Sequence, residues 1–164
     1  MADPVLASMV HAQGRATARH YAAATPIIQF YRDSWVKLAP LRDGPVNSEC
    51  VAFNDPGEAT QQIRNKVREL GADLLGTCRL QPHMIDLGEE VPHPFVIAAC
   101  VAEDYEKVPL GANAVEEEAM RVYSRCAAIA TELAAYVREL GYPARAHHNG
   151  ASEVQAIPIF YQVG

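Results

Sequence analysis

The sequence lacks every cysteine pattern that would hold a metal cluster. Its four cysteines, Cys50, Cys78, Cys100 and Cys126, form no Cys-x-x-Cys pair. Neither a zinc knuckle nor an iron–sulfur cluster site is therefore encoded. Three of the four lie in apolar stretches and read as buried, reduced thiols. There is no basic run, and the net charge is −6, which argues against a nucleic-acid partner, because such partners favour clustered Lys and Arg. The longest apolar stretches, near Val96 and Ile129, are too short or too interrupted to span a bilayer. Residues Met1 to Val10 hold an acid, Asp3, and no Lys or Arg. A basic export-signal region and a twin-Arg pair are thus both missing. The expectation is a cytoplasmic protein with no membrane and no nucleic-acid partner. Two further motifs are absent: a Gly-x-Gly-x-x-Gly loop, and any His-Glu-x-x-His or similar ligand spacing.

What is present fits one domain of 164 residues. Residues 1–24 are rich in Ala and read as a loose helix or arm. A segment from Ile27 to Leu38 carries Phe30, Tyr31 and Trp35, and a Pro/Gly/Asp/Asn loop follows. Asp55-Pro56-Gly57-Glu58 is a helix start, with Asp55 as cap and Glu58 at the capping-box position. Ile63, Val67 and Leu70 give that helix an apolar face, and Gly71 ends it. Ala72 to Arg79 reads as a buried strand. After a proline-containing loop, Phe95 to Val101 is the most apolar run and reads as a central strand. Asn113 reads as the cap of a long helix ending at Leu140-Gly141, with Glu116, Glu117 and Glu118 as a solvated start. Ala144 to His147 reads as a short strand and His148-Asn149-Gly150 as a turn. Val67-Arg-Glu-Leu-Gly71 and Val137-Arg-Glu-Leu-Gly141 echo one another. Shared helix-to-strand turn chemistry explains the echo, and internal duplication is the alternative. The expected fold class is α/β (α+β), a sheet flanked by helices in a single truncated domain.

Two stretches resemble one family. Val67-Arg-Glu-Leu-Gly-Ala-Asp-Leu-Leu-Gly-Thr-Cys-Arg-Leu80 is similar to a helix–strand pattern of corrinoid and iron–sulfur reductive dehalogenases, with a related version in epoxyqueuosine reductases. The second begins at Tyr123-Ser124-Arg125 and runs through Leu133 to Ala146, then to Asn149 and Pro158. It resembles the Tyr-Ser-Arg … Leu-Gly-Tyr-x-Ala … Asn … Pro block of the same family. The resemblance covers residues 55–164, leaving 1–54 as N-terminal arm and loops. It implies a nitroreductase-like fold and cobalamin as cofactor. It implies Tyr123 as the family's proton-donor tyrosine and Asn149 as a cofactor contact. Tyr105 resembles an aromatic that follows this strand in the family. The chain departs from the pattern by having Asn149-Gly150 where the family shows Asn-Asp. It also stops before the family's Gly-Leu-Gly-Glu segment and the cluster cysteines.

Each candidate has a plainer reading beside it. Tyr123 needs a nearby cation to act as an acid, because a free Tyr ionises at about 10. Otherwise it is a packed, hydrogen-bonded Tyr. His147 and His148 are adjacent and cannot easily share one metal in an extended segment. His148 is a cobalt-ligand candidate or a turn histidine. Tyr105, in Glu103-Asp104-Tyr105-Glu106 after the apolar strand, faces either a ligand or solvent.

The function expected is a cobalamin-binding-type domain of a reductive dehalogenase-like oxidoreductase, not catalytic alone. A redox partner or the remaining enzyme domains would complete it. Two rivals are a non-catalytic scaffold domain, expected as a homodimer through an open sheet edge, and a small flavin- or corrinoid-handling oxidoreductase completed by a partner chain.

Overall fold

The structure, a computed structural model, describes residues 26–164. The Ala-rich segment 1–24 read as an arm lies outside the described residues, as do His11 and His20. Helix α1 spans Pro26–Val36 and leads into a 3-10 turn at Ala39–Leu41. Helix α2 spans Pro56–Glu69. The Asp55 carboxylate accepts from Gly57 N at 2.6 Å and Glu58 N at 3.0 Å. Glu58 Oε2 reaches back to accept from Asn54 N at 2.9 Å, so the box closes one residue before the cap.

Strands β1 (Leu74–Arg79) and β2 (Phe95–Cys100) pair antiparallel, with Gly76 opposite Ala98. The loop between them makes a 3-10 turn at Pro82–Met84 and buries Met84 completely. Helix α3, Ala112–Glu139, is the longest element, and α4 spans Ala156–Val163.

The helices sandwich the sheet. On one face Val67 and Leu70 of α2 and Ile129 and Leu133 of α3 pack on Leu75 and Ala99. On the other, Ile159 of α4 packs with Met84 and Ala98. A Cβ at Gly76 would stand 2.5 Å from Val163 Cβ, so only glycine lets α4 come this close. Helix α1 lies against the outer side of α3, where Ile28 and Trp35 bury with Met120 and Ala127. The mixed α/β class expected from the sequence is the class found.

The helix echo is also geometric. Gly71 N bonds Arg68 O and Ala72 N bonds Val67 O; Gly141 N bonds Arg138 O and Tyr142 N bonds Val137 O. Both are Schellman endings, with glycine at φ +81 and +89.

Several sequence expectations are corrected. The sheet has two strands among the described residues, so neither is central or fully buried; Leu74 is 70% and Phe95 66% exposed. An apolar run reports a tendency to bury, and the number of neighbouring strands is not written in it. Asn113 does not cap α3. The preceding 3-10 turn, Tyr105–Leu110, runs into the helix, and Gly111 at φ +97 takes the cap position. Glu118 is not solvated: it is 5% exposed, because it turns inward to accept from Asp104 N at 2.7 Å. Ala144 to His147 forms no strand. Its backbone is held instead by a bond from Ala146 N to Arg42 O. Cys50 is exposed, and the other three thiols are half-buried rather than buried. Among the described residues no helix is long and apolar enough to cross a membrane.

Candidate functional site

Tyr123 sits mid-way along α3 on the side facing α1. Met120 and Ala127, one turn away on either side, are the residues that seat α1. Ser34 Oγ donates to Tyr31 O, which leaves Ser124 as the donor in the 2.5 Å Ser34–Ser124 hydroxyl bond across the two helices. This pins Trp35 edge-on to Tyr123, with ring centroids 5.9 Å apart and planes at 85°. Trp35 is buried, whereas Tyr123 is 42% exposed. Among the described residues no guanidinium is hydrogen-bonded to Tyr123. Arg121 is occupied by Glu118 through bonds of 2.7 and 2.6 Å, and Arg125 donates to Leu70 O at 2.5 Å.

The His148–Ala151 turn comes up to the same tryptophan. His148 and Ala151 exchange two backbone hydrogen bonds. Between them Gly150 takes φ +78, and a Cβ there would lie 3.5 Å from Trp35 Nε1. Trp35 therefore joins the turn to Tyr123. Asn149 is exposed at the tip, and His148 is 7% exposed beneath it. His148 Nδ1 lies 3.1 Å from Asn149 O, while Nε2 is buried without a partner.

A charged cluster fixes the turn to the rest of the fold. Glu153 pairs with Arg42 through Oε1, and its backbone N–H donates to His147 Nδ1 at 3.3 Å. The same His147 nitrogen lies 3.1 Å from Glu153 Oε2. Burial, then the charges of Arg42 and Arg145, push its pKa down to about 4. Arg145 in turn holds Asp43 at 2.8 Å. Asp43 is lowered by that hydrogen bond.

Tyr105 stands apart. It lies on the 3-10 turn before α3 and is 80% exposed. That turn folds back on α3, where the Asp104 N–H donates to Glu118 at 2.7 Å. Trp35 thus touches both Tyr123 and the turn that carries His148 and Asn149, while Tyr105 lies on a separate 3-10 turn. Sequence reading missed Trp35 as the joint. The signal was there in its helical spacing from Ile28 and Tyr31.

Much of the quoted motif sequence holds backbone in place. Arg125 caps the end of α2 at Leu70 O. Arg138 is buried and donates to Ala144 O at 2.9 Å and Arg42 O at 3.3 Å. Tyr142 donates to Val51 O at 2.8 Å and stacks on Phe53.

No family model and no curated protein sequence matches the chain. Solved structures do. The chain aligns with catabolic reductive dehalogenase NpRdhA in complex with 3-bromo-4-hydroxybenzoic acid at 26% identity and TM-score 0.71, over 84% of this chain and 22% of that one. It aligns with a reductive dehalogenase studied for B12-dependent dehalogenation at 25% and TM-score 0.70, over 87% and 20%. The fold is that of a reductive dehalogenase segment. The chain spans about a fifth of the length of the reductive dehalogenases it matches.

The side chains fit a corrinoid as one wall rather than as an enclosure. Tyr123 and Asn149 lie at the surface, and His148 Nε2 is buried without a partner. Two hollows of the described surface lie elsewhere. One of about 500 Å³ is lined by Gln61, Gln62, Asn65 and Tyr136, and one of about 360 Å³ by Thr77, Arg79, Phe95 and Ile97. Among the described residues no group of three or more His, Cys, Asp or Glu could hold a metal ion.

Proposed function

We propose that this chain is a cobalamin-binding-type domain of a reductive dehalogenase-like oxidoreductase, inactive alone and completed by further polypeptide. The observation that carries the reading is the alignment, at TM-score 0.71 and 26% identity over 84% of the chain, with part of a reductive dehalogenase. In this reading the fold is the nitroreductase-like unit of such enzymes, working in the cytoplasm. Tyr123, Trp35 and the His148–Ala151 turn present one wall to a corrinoid, and the missing wall comes from the completing polypeptide. Bound corrinoid supplies the cobalt redox chemistry that removes halide. Tyr123 faces that wall as a proton donor only when the completing polypeptide brings a cation to it, because Arg121 and Arg125 are already engaged. Electrons come from iron–sulfur clusters that this chain's cysteines do not hold.

A ligand that binds the folded form raises the melting temperature through linkage. The expected result is a rise for the chain with cobalamin. No rise at cobalamin well above micromolar concentration overturns the reading. Halide release by the chain without added iron–sulfur partners overturns its dependence on completion.

A second reading is a non-catalytic scaffold domain. The exposed Phe95 and Ile97, on a sheet whose two edges are open among the described residues, favour it. Light scattering that returns a dimer, together with no cobalamin response, would select it.

A further inference from the structure

Pairing with β2 satisfies only one side of β1. Leu80 N donates to Pro94 O, and this pair continues the register in which Cys78 faces Val96 and Gly76 faces Ala98. Bonded pairs alternate with non-bonded ones along an antiparallel ladder. The even-numbered residues of β1 therefore bond β2, and the N–H and C=O groups of Leu75, Thr77 and Arg79 point out from the sheet. Among the described residues no other strand and no loop backbone bonds them.

The charges at the two ends of this edge are unmatched as well. Arg79 is exposed, with its guanidinium 5.8 Å from the Phe95 ring centroid. Asp73 is exposed and accepts from Ala102 N at 2.7 Å through Oδ2, which leaves Oδ1 open. Among the described residues neither has an ion-pair partner. Leu74, between them, is 70% exposed. The edge of β2 is poorer for pairing: Pro94, which has no N–H, precedes it, and Phe95–Cys100 carries no charge to set a register.

An antiparallel second copy answers each of these features. When Gly76 stands opposite Gly76 of the second copy, Leu75 forms a bonded pair with Thr77 of the second copy, and Thr77 with its Leu75. Arg79 then comes opposite Asp73 of the second copy, and Asp73 opposite its Arg79. Opposite charges facing across a strand pair stabilise it, and a slip of the strands in either direction separates both ion pairs. Leu74 comes under Cys78 of the second copy.

We propose that the outer edge of β1 pairs with the same edge of a second copy of this chain, with Asp73 and Arg79 fixing the register. The inference rests on the dimer of the second reading above, and it uses no residue of the Tyr123–Trp35–Gly150 wall.

The test is the mass of the whole chain by light scattering at low salt, where exposed ion pairs are least screened. The expected result is twice the chain mass for the parent. Asp73→Arg and Arg79→Asp each set like charges opposite one another, and each should return the chain mass. An equimolar mixture of the two variants should return the dimer, because every cation of one then meets an acid of the other. Thr77→Pro removes an outward N–H without breaking a bond to β2, and should also return the chain mass. Circular dichroism identifies the folded variants. A parent chain that stays monomeric at high micromolar concentration overturns the pairing and the dimer together. A dimer that persists in a folded charge variant or in folded Thr77→Pro overturns the pairing and leaves the scaffold reading standing. Charge variants that stay monomeric on mixing overturn the Asp73–Arg79 register.

Discussion

The indole of Trp35 and the backbone of Gly150 are in van der Waals register: a Cβ on the glycine would lie 3.5 Å from the indole nitrogen. These residues are far apart in sequence. Their contact brings the turn after α3 up to the helix that carries Tyr123. The tryptophan is therefore both a core residue and the spacer of the candidate site.

Removing the spacer should be expensive. Trp35 is buried with Ile28, Met120 and Ala127, and emptying such a site costs about 3–5 kcal/mol. Trp35→Ala is expected to lower urea-unfolding stability by that amount, and Trp35→Phe by clearly less. Equal losses for both variants would mean the indole's size is not what seats α1.

The two Schellman glycines should respond differently to alanine. Both have positive φ, a strain of roughly 1–2 kcal/mol for any other residue. At Gly71 the new Cβ meets only the tip of the Arg125 side chain, whereas at Gly141 it would stand 2.5 Å from Cys50 Cα. Gly141→Ala is expected to be the more damaging by at least about 1 kcal/mol, read by denaturant unfolding. Equal costs would show that the 50–51 backbone yields freely.

Acid should weaken the fold through His147. Its folded pKa of about 4 lies below the 6.5 of an unperturbed histidine. Between those values the unfolded chain binds the extra proton, so stability falls as pH drops through this window and is flat above it. Glu118, held at about 2 by its Arg121 hydrogen bonds, loses its contribution lower, between 4.5 and 2. His147→Asn is expected to remove a decline on the order of 1–2 kcal/mol in the upper window, leaving the lower one. An unchanged slope between pH 6.5 and 4 would assign the acid response elsewhere.

Glu118 should act as a staple for the Tyr105 turn. It accepts from the Asp104 backbone and binds Arg121. Glu118→Ala takes the acceptor from the Asp104 N–H, at about 1 kcal/mol. It should also speed hydrogen exchange over residues 104–110. Glu118→Gln keeps an acceptor and should lose less. Undisturbed exchange in the alanine variant would remove the staple role.

Local signals in the sequence proved readable. Asp55, Pro56 and Glu58 announced α2, and Gly71 and Gly141 announced two helix ends, because each acts on backbone groups within a few residues. The 148–150 turn was legible in its Asn-Gly pair, and Tyr123 was singled out only through motif likeness. The partnership through Trp35 was not legible, because it is made by the packing of α1 on α3. The inward turn of Glu118 was hidden for the same reason: an acid early in a helix looks solvated until its neighbours are known. The open edges of β1 and β2 depend on how many strands assemble, which no run of apolar residues states.

The arginine that ends the Tyr-Ser-Arg triplet spends its guanidinium on the final carbonyl of α2, and Arg138 spends its own on two loop carbonyls. Selection for folding alone would preserve both. A descendant that had lost every trace of dehalogenation would still spell these motifs correctly. Genome searches keyed to them will therefore gather silent relatives along with working enzymes, and only assays will sort the two.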